Sequence, residues 1–210
     1  PYDFEGLDDG SLVLPHEVRE SAVGKYLIAM HYFDRQFGMF TEGLKKRGLL
    51  DKSLIVLYGD HPALPIAYKD EMEIMLGGDL DDPVNWKKTR RVPLMFRLPQ
   101  SKGLMGESPV DTGIMDVAPT IAGLMGFKFK TAFGQNLLYD KDLQPVIFRN
   151  GSYMYKGVFV EPGTERATSV ESGESLSFAS FAKITDEVER RLRYSDLILE
   201  KNLIESILKK

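Results

Sequence analysis

The run Ser53-Leu54-Ile55-Val56-Leu57-Tyr58, closed by Gly59-Asp60-His61-Pro62, restricts the possible folds more than any other segment of the chain. It is apolar on both faces and partly β-branched. That pattern predicts a buried strand of a parallel sheet, which is covered from both sides. A long helix is predicted just before it, from about Glu17 to Arg47, with Gly48 as its stop. Tyr26, Met30, Phe33, Phe37, Phe40 and Leu44 recur there at alternating spacings of four and three, which lines them up on one core-facing stripe. The same spacing suits a coiled coil, but the stretch is short and rich in aromatics.

Downstream the elements alternate. A short helix is predicted around Tyr68 to Met75, broken by Gly77-Gly78, and a turn at Asp81-Asp82-Pro83. Arg91 to Leu98 predicts a second strand, with Pro93 forcing a late start or an edge position. Asp116 can cap a helix running to about Met125, with Pro119 in its first turn and Gly126 after it. Short strands are predicted at Pro145 to Phe148 and Tyr153 to Val160, then a loop from Glu161 to Glu174. A charged amphipathic helix closes the chain from about Ile184 to Leu208, with Val188, Leu192, Leu197 and Ile204 among its apolar positions. This order predicts an α/β layered architecture, and no linker divides residues 1–210 into separate domains.

Composition narrows the function. At 210 residues, with 43% apolar and 28% charged, the chain can bury a substantial core. The net charge of −4 argues against a nucleic-acid partner, and the basic runs Lys45-Lys46-Arg47 and Lys87-Lys88 read as solvated surface. There is no cysteine, which excludes disulfides, thiolate metal sites and cysteine nucleophiles. No apolar stretch approaches the ~20 residues needed to span a bilayer, and no signal peptide opens the chain. Its first residue, Pro1, leads us to expect a piece of something longer.

The residues best placed for chemistry are Asp60 and His61. Ligands gather outside the carboxyl ends of strands in open α/β sheets. A carboxylate and a neutral imidazole are both good ligands for a divalent ion such as zinc or manganese. Neighbours in an extended strand point to opposite faces, so both reach one ion only if the chain turns, as Gly59 and Pro62 allow. Asp60 capping a turn and His61 as an ordinary polar side chain is the plainer reading. The other candidates have structural readings. His31 lies beside the helical stripe, His16 sits in a loop, Asp111 and Asp116 suit caps and turns, and Trp86 in its polar stretch is expected to be partly exposed. Arg149-Asn150-Gly151 reads as a tight turn, with Arg149 a weak candidate for holding an anion.

Five segments carry a resemblance when taken in order: SLIVLYGDH (53–61), RRVPLMFRLP (90–99), DTGIMDVAPTIAGLMG (111–126), FGQNLL (133–138) and VIFRNGSY (146–153). Together with the helix that precedes them, they resemble the lipoteichoic acid synthases and related phosphoglycerol transferases. That family lies in the sulfatase branch of the alkaline phosphatase superfamily. The resemblance covers residues from about 1 to 160 and fits the final helix more loosely.

The resemblance implies the C-terminal part of a catalytic domain with an alkaline-phosphatase-like layered sheet. It also implies that Asp60 and His61 bind a catalytic divalent metal, usually manganese. A Glu and a nucleophilic Thr complete the family's site from its N-terminal half, and no residue here matches them. Pro1-Tyr2 looks like the tail of the family's substrate-contacting His-Pro-aromatic motif, and Ala63-Leu64-Pro65-Ile66 is more apolar than the synthases' loop. The implied reaction is attack of the Thr on a phosphoglycerol or sulfate ester, in a parent protein anchored at the outer face of a bacterial membrane. The chain alone is expected to bind metal weakly and to catalyse nothing. A fragment of a hydrolytic sulfatase or phosphodiesterase, and a non-catalytic binding or structural module, are the alternatives.

Overall fold

The computed structural model describes residues 6–100, 106–108, 110–129, 131–139 and 144–208, with backbone alone at 83 and 84. Helices and strands mix throughout, as expected for the α/β class. The chain divides into two compact units, residues 1–106 and 107–210.

The first unit opens with helices α1 (His16–Glu20) and α2 (Ala22–Lys46). The single helix expected from Glu17 to Arg47 is broken at Ser21, whose backbone is extended (φ −73°, ψ 166°). The Ser21 hydroxyl accepts the Gly24 N–H at 3.1 Å, a serine N-cap that starts α2 afresh. Glu71, from helix α3 (Lys69–Leu76), adds its Oε2 as acceptor for the Ala22 and Val23 amides at 2.6 and 3.3 Å. Two elements therefore satisfy the orphan donors of one helix start. At the other end Gly48, at φ +65°, takes the left-handed conformation that stops the helix.

Of the stripe expected to face the core, Tyr26, Phe37 and Leu44 are half-buried and the other three residues are not. Met30, Phe33 and Phe40 are exposed, Phe33 stacks along the helix on Phe37 with ring centroids 6.0 Å apart, and the buried positions of α2 are Val23, Gly24 and Ile28. Periodicity finds the apolar side of a helix but not the surface that covers it. The core of this unit is built from Val23, Met72 and Leu80, with Leu27, Leu64 and Trp86 packed around them. Trp86 is thus half-buried, as expected, and also joins a core. It lies on helix α4 (Pro83–Thr89), where only a turn was expected. Asp82 Oδ1 accepts the Asn85 N–H at 2.9 Å just ahead of Pro83, a pairing that starts a helix as readily as a turn.

Strands β1 (Ile55–Tyr58) and β2 (Leu94–Arg97) pair antiparallel, with Tyr58 opposite Leu94. This corrects the parallel reading of β1. None of its residues is fully buried, and Tyr58 is exposed. Strand β2 begins directly after Pro93, the late start its missing N–H imposes.

In the second unit, helix α5 (Val117–Leu124) is followed by a five-stranded antiparallel meander in the order β3 (Val146–Ile147), β4 (Tyr153–Tyr155), β5 (Val158–Glu161), β6 (Arg166–Ser169) and β7 (Ser175–Leu176). The strand expected over Tyr153 to Val160 is two strands joined at Lys156-Gly157, both at positive φ (51° and 75°) as a tight hairpin turn requires. The loop expected from Glu161 to Glu174 contains β6. Helix α6 (Ala182–Glu200) lies on this sheet, and Tyr153, Val160, Ala167 and Val188 form its buried centre. Burying each large apolar side chain contributes roughly 1.5–3 kcal/mol. The Tyr153 hydroxyl meets Thr185 Oγ1 at 2.9 Å, giving the buried phenol a partner. The closing helix also breaks, at Lys201-Asn202 with Asn202 at φ +48°, before α7 (Ile204–Leu208). Leu197 and Ile204 stay exposed. Among the described residues no helix is long and apolar enough to cross a membrane.

Candidate metal centre

Strand β1 ends at Tyr58, and one further ladder bond follows: the Gly59 N–H donates to the Pro93 carbonyl at 3.0 Å. Gly59 passes so close to Val92 that a Cβ on it would lie 2.8 Å from the Val92 Cβ. Only a residue without a side chain holds the chain there. Beyond it the backbone bends at residues 60 and 61. The bend overcomes the alternation that would send the two side chains to opposite faces.

As a result, Asp60 Oδ1 and His61 Nε2 lie 3.6 Å apart, with both side chains more than 70% exposed. His61 Nδ1 is 2.9 Å from the Pro62 carbonyl oxygen. A carbonyl only accepts, so this contact is a hydrogen bond in the tautomer that carries its proton on Nδ1. In the neutral ring the lone pair then sits on Nε2, the nitrogen that faces Asp60. Histidines that bind metals commonly donate the other ring N–H to a carbonyl in this way.

This donor pair fits a divalent ion. Two ligands at ~2.1 Å from one ion, in tetrahedral or octahedral geometry, stand ~3.0–3.5 Å from each other. The separation found here needs a shift of only a few tenths of an ångström. Among the described residues no third carboxylate or imidazole joins the pair in a cluster. Asp60 and His61 alone could therefore hold an ion only by two of its coordination positions.

The other candidates have local duties. Asp116 is buried, and its carboxylate accepts the amides of Gly113 and Gln135, both at 2.9 Å. Arg191 of α6 lies within electrostatic reach of Asp116 and donates to the Phe133 carbonyl. Burial pushes its guanidinium below the ordinary value, and the Asp116 charge partly restores it. Asp111 accepts the Gly157 N–H of the β4–β5 turn at 2.7 Å. Asp111 thus serves a turn as expected, whereas Asp116 does not cap α5: its side chain makes no cap bond to that helix and ties Gly113 to Gln135 instead. His31 meets Ser11 Oγ at 2.8 Å, and His16 begins α1. Arg149 is not a free anion-holder: Asp196 grips its guanidinium at 2.8 and 3.2 Å. Pro1 and Tyr2 lie outside the described residues.

Glu73, Asp79 and Asp81 form an acidic group that the sequence did not single out. Lys69 already sits against it, 3.5 Å from Glu73 and paired with Asp81. Its ammonium is held above the ordinary lysine value, first by the hydrogen bond to Asp81. A cation of the protein's own thus answers that charge.

The sulfatase family model matches residues 7–127, a span that contains the Gly59-Asp60-His61 turn. The chain belongs to the sulfatase family. Lipoteichoic acid synthase 2 of Bacillus subtilis (strain 168) is 31% identical over 204 residues, covering 95% of this sulfatase-family chain and 31% of that protein. Lipoteichoic acid synthase 1 of the same strain is 31% identical over 195 residues, covering 88% of this chain and 29% of that protein. Lipoteichoic acid synthase of Staphylococcus aureus (strain USA300) is 30% identical over 204 residues, covering 96% of this chain and 31% of that protein. This sulfatase-family chain therefore spans under a third of the length of the curated relatives it matches.

Proposed function

We propose that residues 1–210 are the C-terminal portion of the catalytic domain of a phosphoglycerol transferase of the lipoteichoic acid synthase kind. In this reading Asp60 and His61 supply two ligands to its catalytic divalent ion, manganese. The observation that carries the reading is the convergence of Asp60 Oδ1 and His61 Nε2 to 3.6 Å, with His61 Nδ1 turned to the Pro62 carbonyl at 2.9 Å. Identity of about 30% to three lipoteichoic acid synthases, over nearly all of this chain, supports the choice of phosphoglycerol as the transferred group. The parent protein would work at the outer face of a bacterial membrane, on an anionic glycerophospholipid, with its anchor outside this chain.

The bound ion would supply positive charge to activate the nucleophile and neutralise the transferred phosphoryl group. This chain's residues have simpler duties. Asp60 offers a carboxylate oxygen. His61 offers Nε2, with Nδ1 turned to the Pro62 carbonyl. Gly59 places both beyond the strand end. The nucleophile belongs to the rest of the parent.

The chain alone should therefore bind manganese weakly, with a Kd on the order of 0.1–1 mM or above, and turn over nothing. Calorimetric titration of manganese into the wild type, Asp60→Asn and His61→Ala tests the first part. Saturable binding lost in both variants is expected, and binding unchanged in both removes the two residues from the site. Incubation with phosphatidylglycerol and manganese tests the second, where release of diacylglycerol by this chain would refute its role as a partial site. A sulfate-ester hydrolase is the second reading, favoured by the sulfatase family match. Turnover of an aryl sulfate, but not of phosphatidylglycerol, by the complete parent protein would establish it in place of the transferase.

A further inference from the structure

The ligand turn is pinned at both ends to one segment, residues 86–93. At its start, the Gly59 N–H donates to the Pro93 carbonyl at 3.0 Å. At its far end, Arg90 Nη1 donates to the Leu64 carbonyl at 3.0 Å. The Arg90 guanidinium lies over the Trp86 ring, 5.2 Å from its centroid. The Leu64 side chain and Trp86 both pack against Val23, Met72 and Leu80. Leu64 is thus fixed through its side chain by the core and through its carbonyl by Arg90. Between the pins stand Asp60 and His61, both exposed, whose side-chain hydrogen bonds and ion pairs among the described residues are with each other and with Pro62.

We propose that Arg90 is a positioning residue for the metal-binding turn, clamping Leu64 so that the Asp60 carboxylate and the His61 imidazole stay convergent. This rests on the reading of Asp60 and His61 as ligands. Two exposed ligands on a bend have no packing to hold their spacing, so order must come from the backbone on either side. Arg90 suits the task better than lysine would. Its planar guanidinium stacks on the Trp86 indole while pointing an N–H at the Leu64 oxygen, and a lysine ammonium cannot do both in one geometry. A loop so held enters metal binding already ordered, and the ion need not supply that ordering.

The test is amide hydrogen exchange on the whole chain without metal, paired with manganese titration. Arg90→Ala should speed residue-resolved exchange of the Gly59 amide, the one amide of the turn with a hydrogen-bond acceptor among the described residues, by about five- to tenfold, as the turn loses its far anchor. Exchange in α2 and α3 should be unchanged. Arg90→Lys should fall between the two. Manganese affinity should weaken at least about threefold in Arg90→Ala, through loss of that ordering. Unchanged exchange at Gly59 overturns the proposal, and so does equal acceleration throughout the first unit, which would mark Arg90 as a general structural residue. If the wild type binds no manganese, the ligand reading fails, and the exchange arm still decides whether the clamp exists.

Discussion

Substituting Gly59 by alanine tests the geometry on which the candidate site depends. The added methyl would lie 2.8 Å from the Val92 Cβ, 3.1 Å from its Cγ1 and 3.4 Å from the Pro93 Cδ. Carbon atoms in contact prefer ~3.5–4.0 Å, so β1 and β2 must part by at least ~0.7 Å at their ends. Overpacking of this kind costs ~1–3 kcal/mol. Alanine also narrows the unfolded ensemble and returns ~0.4–1 kcal/mol; the middle of the two ranges leaves a net loss of about 1–1.5 kcal/mol. Trp86, the single tryptophan, sits in the core of the same unit, and its fluorescence during urea unfolding reports that loss. With a slope of ~2 kcal/mol per molar urea, the midpoint should fall by ~0.5–0.75 M. Val92→Gly removes the two nearest atoms, so the double variant should be more stable than the sum of the single losses by about 1 kcal/mol or more. A midpoint unchanged in Gly59→Ala, or strictly additive losses in the cycle, would refute the argument that close approach demands glycine here.

Two further outcomes follow from the packing. Tyr153→Phe should cost ~1 kcal/mol through loss of the hydroxyl contact with Thr185. Burial holds the Tyr153 phenol above its ordinary value of 10.0. The unfolded chain therefore releases this proton first, and wild-type stability contains a component that is full below pH ~10 and lost as pH rises toward the higher folded value. Urea midpoints measured from pH 9 to 11 should fall more steeply in the wild type than in Tyr153→Phe. Glu71→Ala should cost ~1–2 kcal/mol, because it strips the acceptor from the Ala22 and Val23 amides at the start of α2. Helical circular dichroism during thermal unfolding will show a lower Tm, and an unchanged Tm would mean that Ser21 caps the helix alone.

The Gly59–Pro62 turn was legible because its signals are local. An apolar run, a glycine, a carboxylate, an imidazole and a proline each have one strong backbone or chemical preference, and they fall in adjacent positions. Partner choice was less legible. Nothing within Ser53–Tyr58 states whether its neighbour runs parallel or antiparallel, since both faces of either sheet can be apolar. Ser21 hid the helix break, because a serine inside a periodic stretch is tolerated until its hydroxyl captures an amide three residues on. In the meander, Arg166–Ser169 offers a single buried side chain, Ala167, and so gives no hydrophobic run to find. Lys156 at positive φ concealed the hairpin, because asparagine or glycine is the usual sign of such a turn. The Arg90 contact with Leu64 joins residues 26 positions apart, and no periodicity or motif predicts it.

Every pairing in the five-stranded sheet joins strands that are successive in the chain. Such contacts close short loops, so the order they impose costs little and can propagate hairpin by hairpin as the polypeptide emerges. The helix that covers Tyr153, Val160 and Ala167 comes after all of them, beginning at Ala182. During synthesis the sheet can therefore form while its apolar face is still bare, and that face stays open to misassociation until residues 182–200 arrive to shield it.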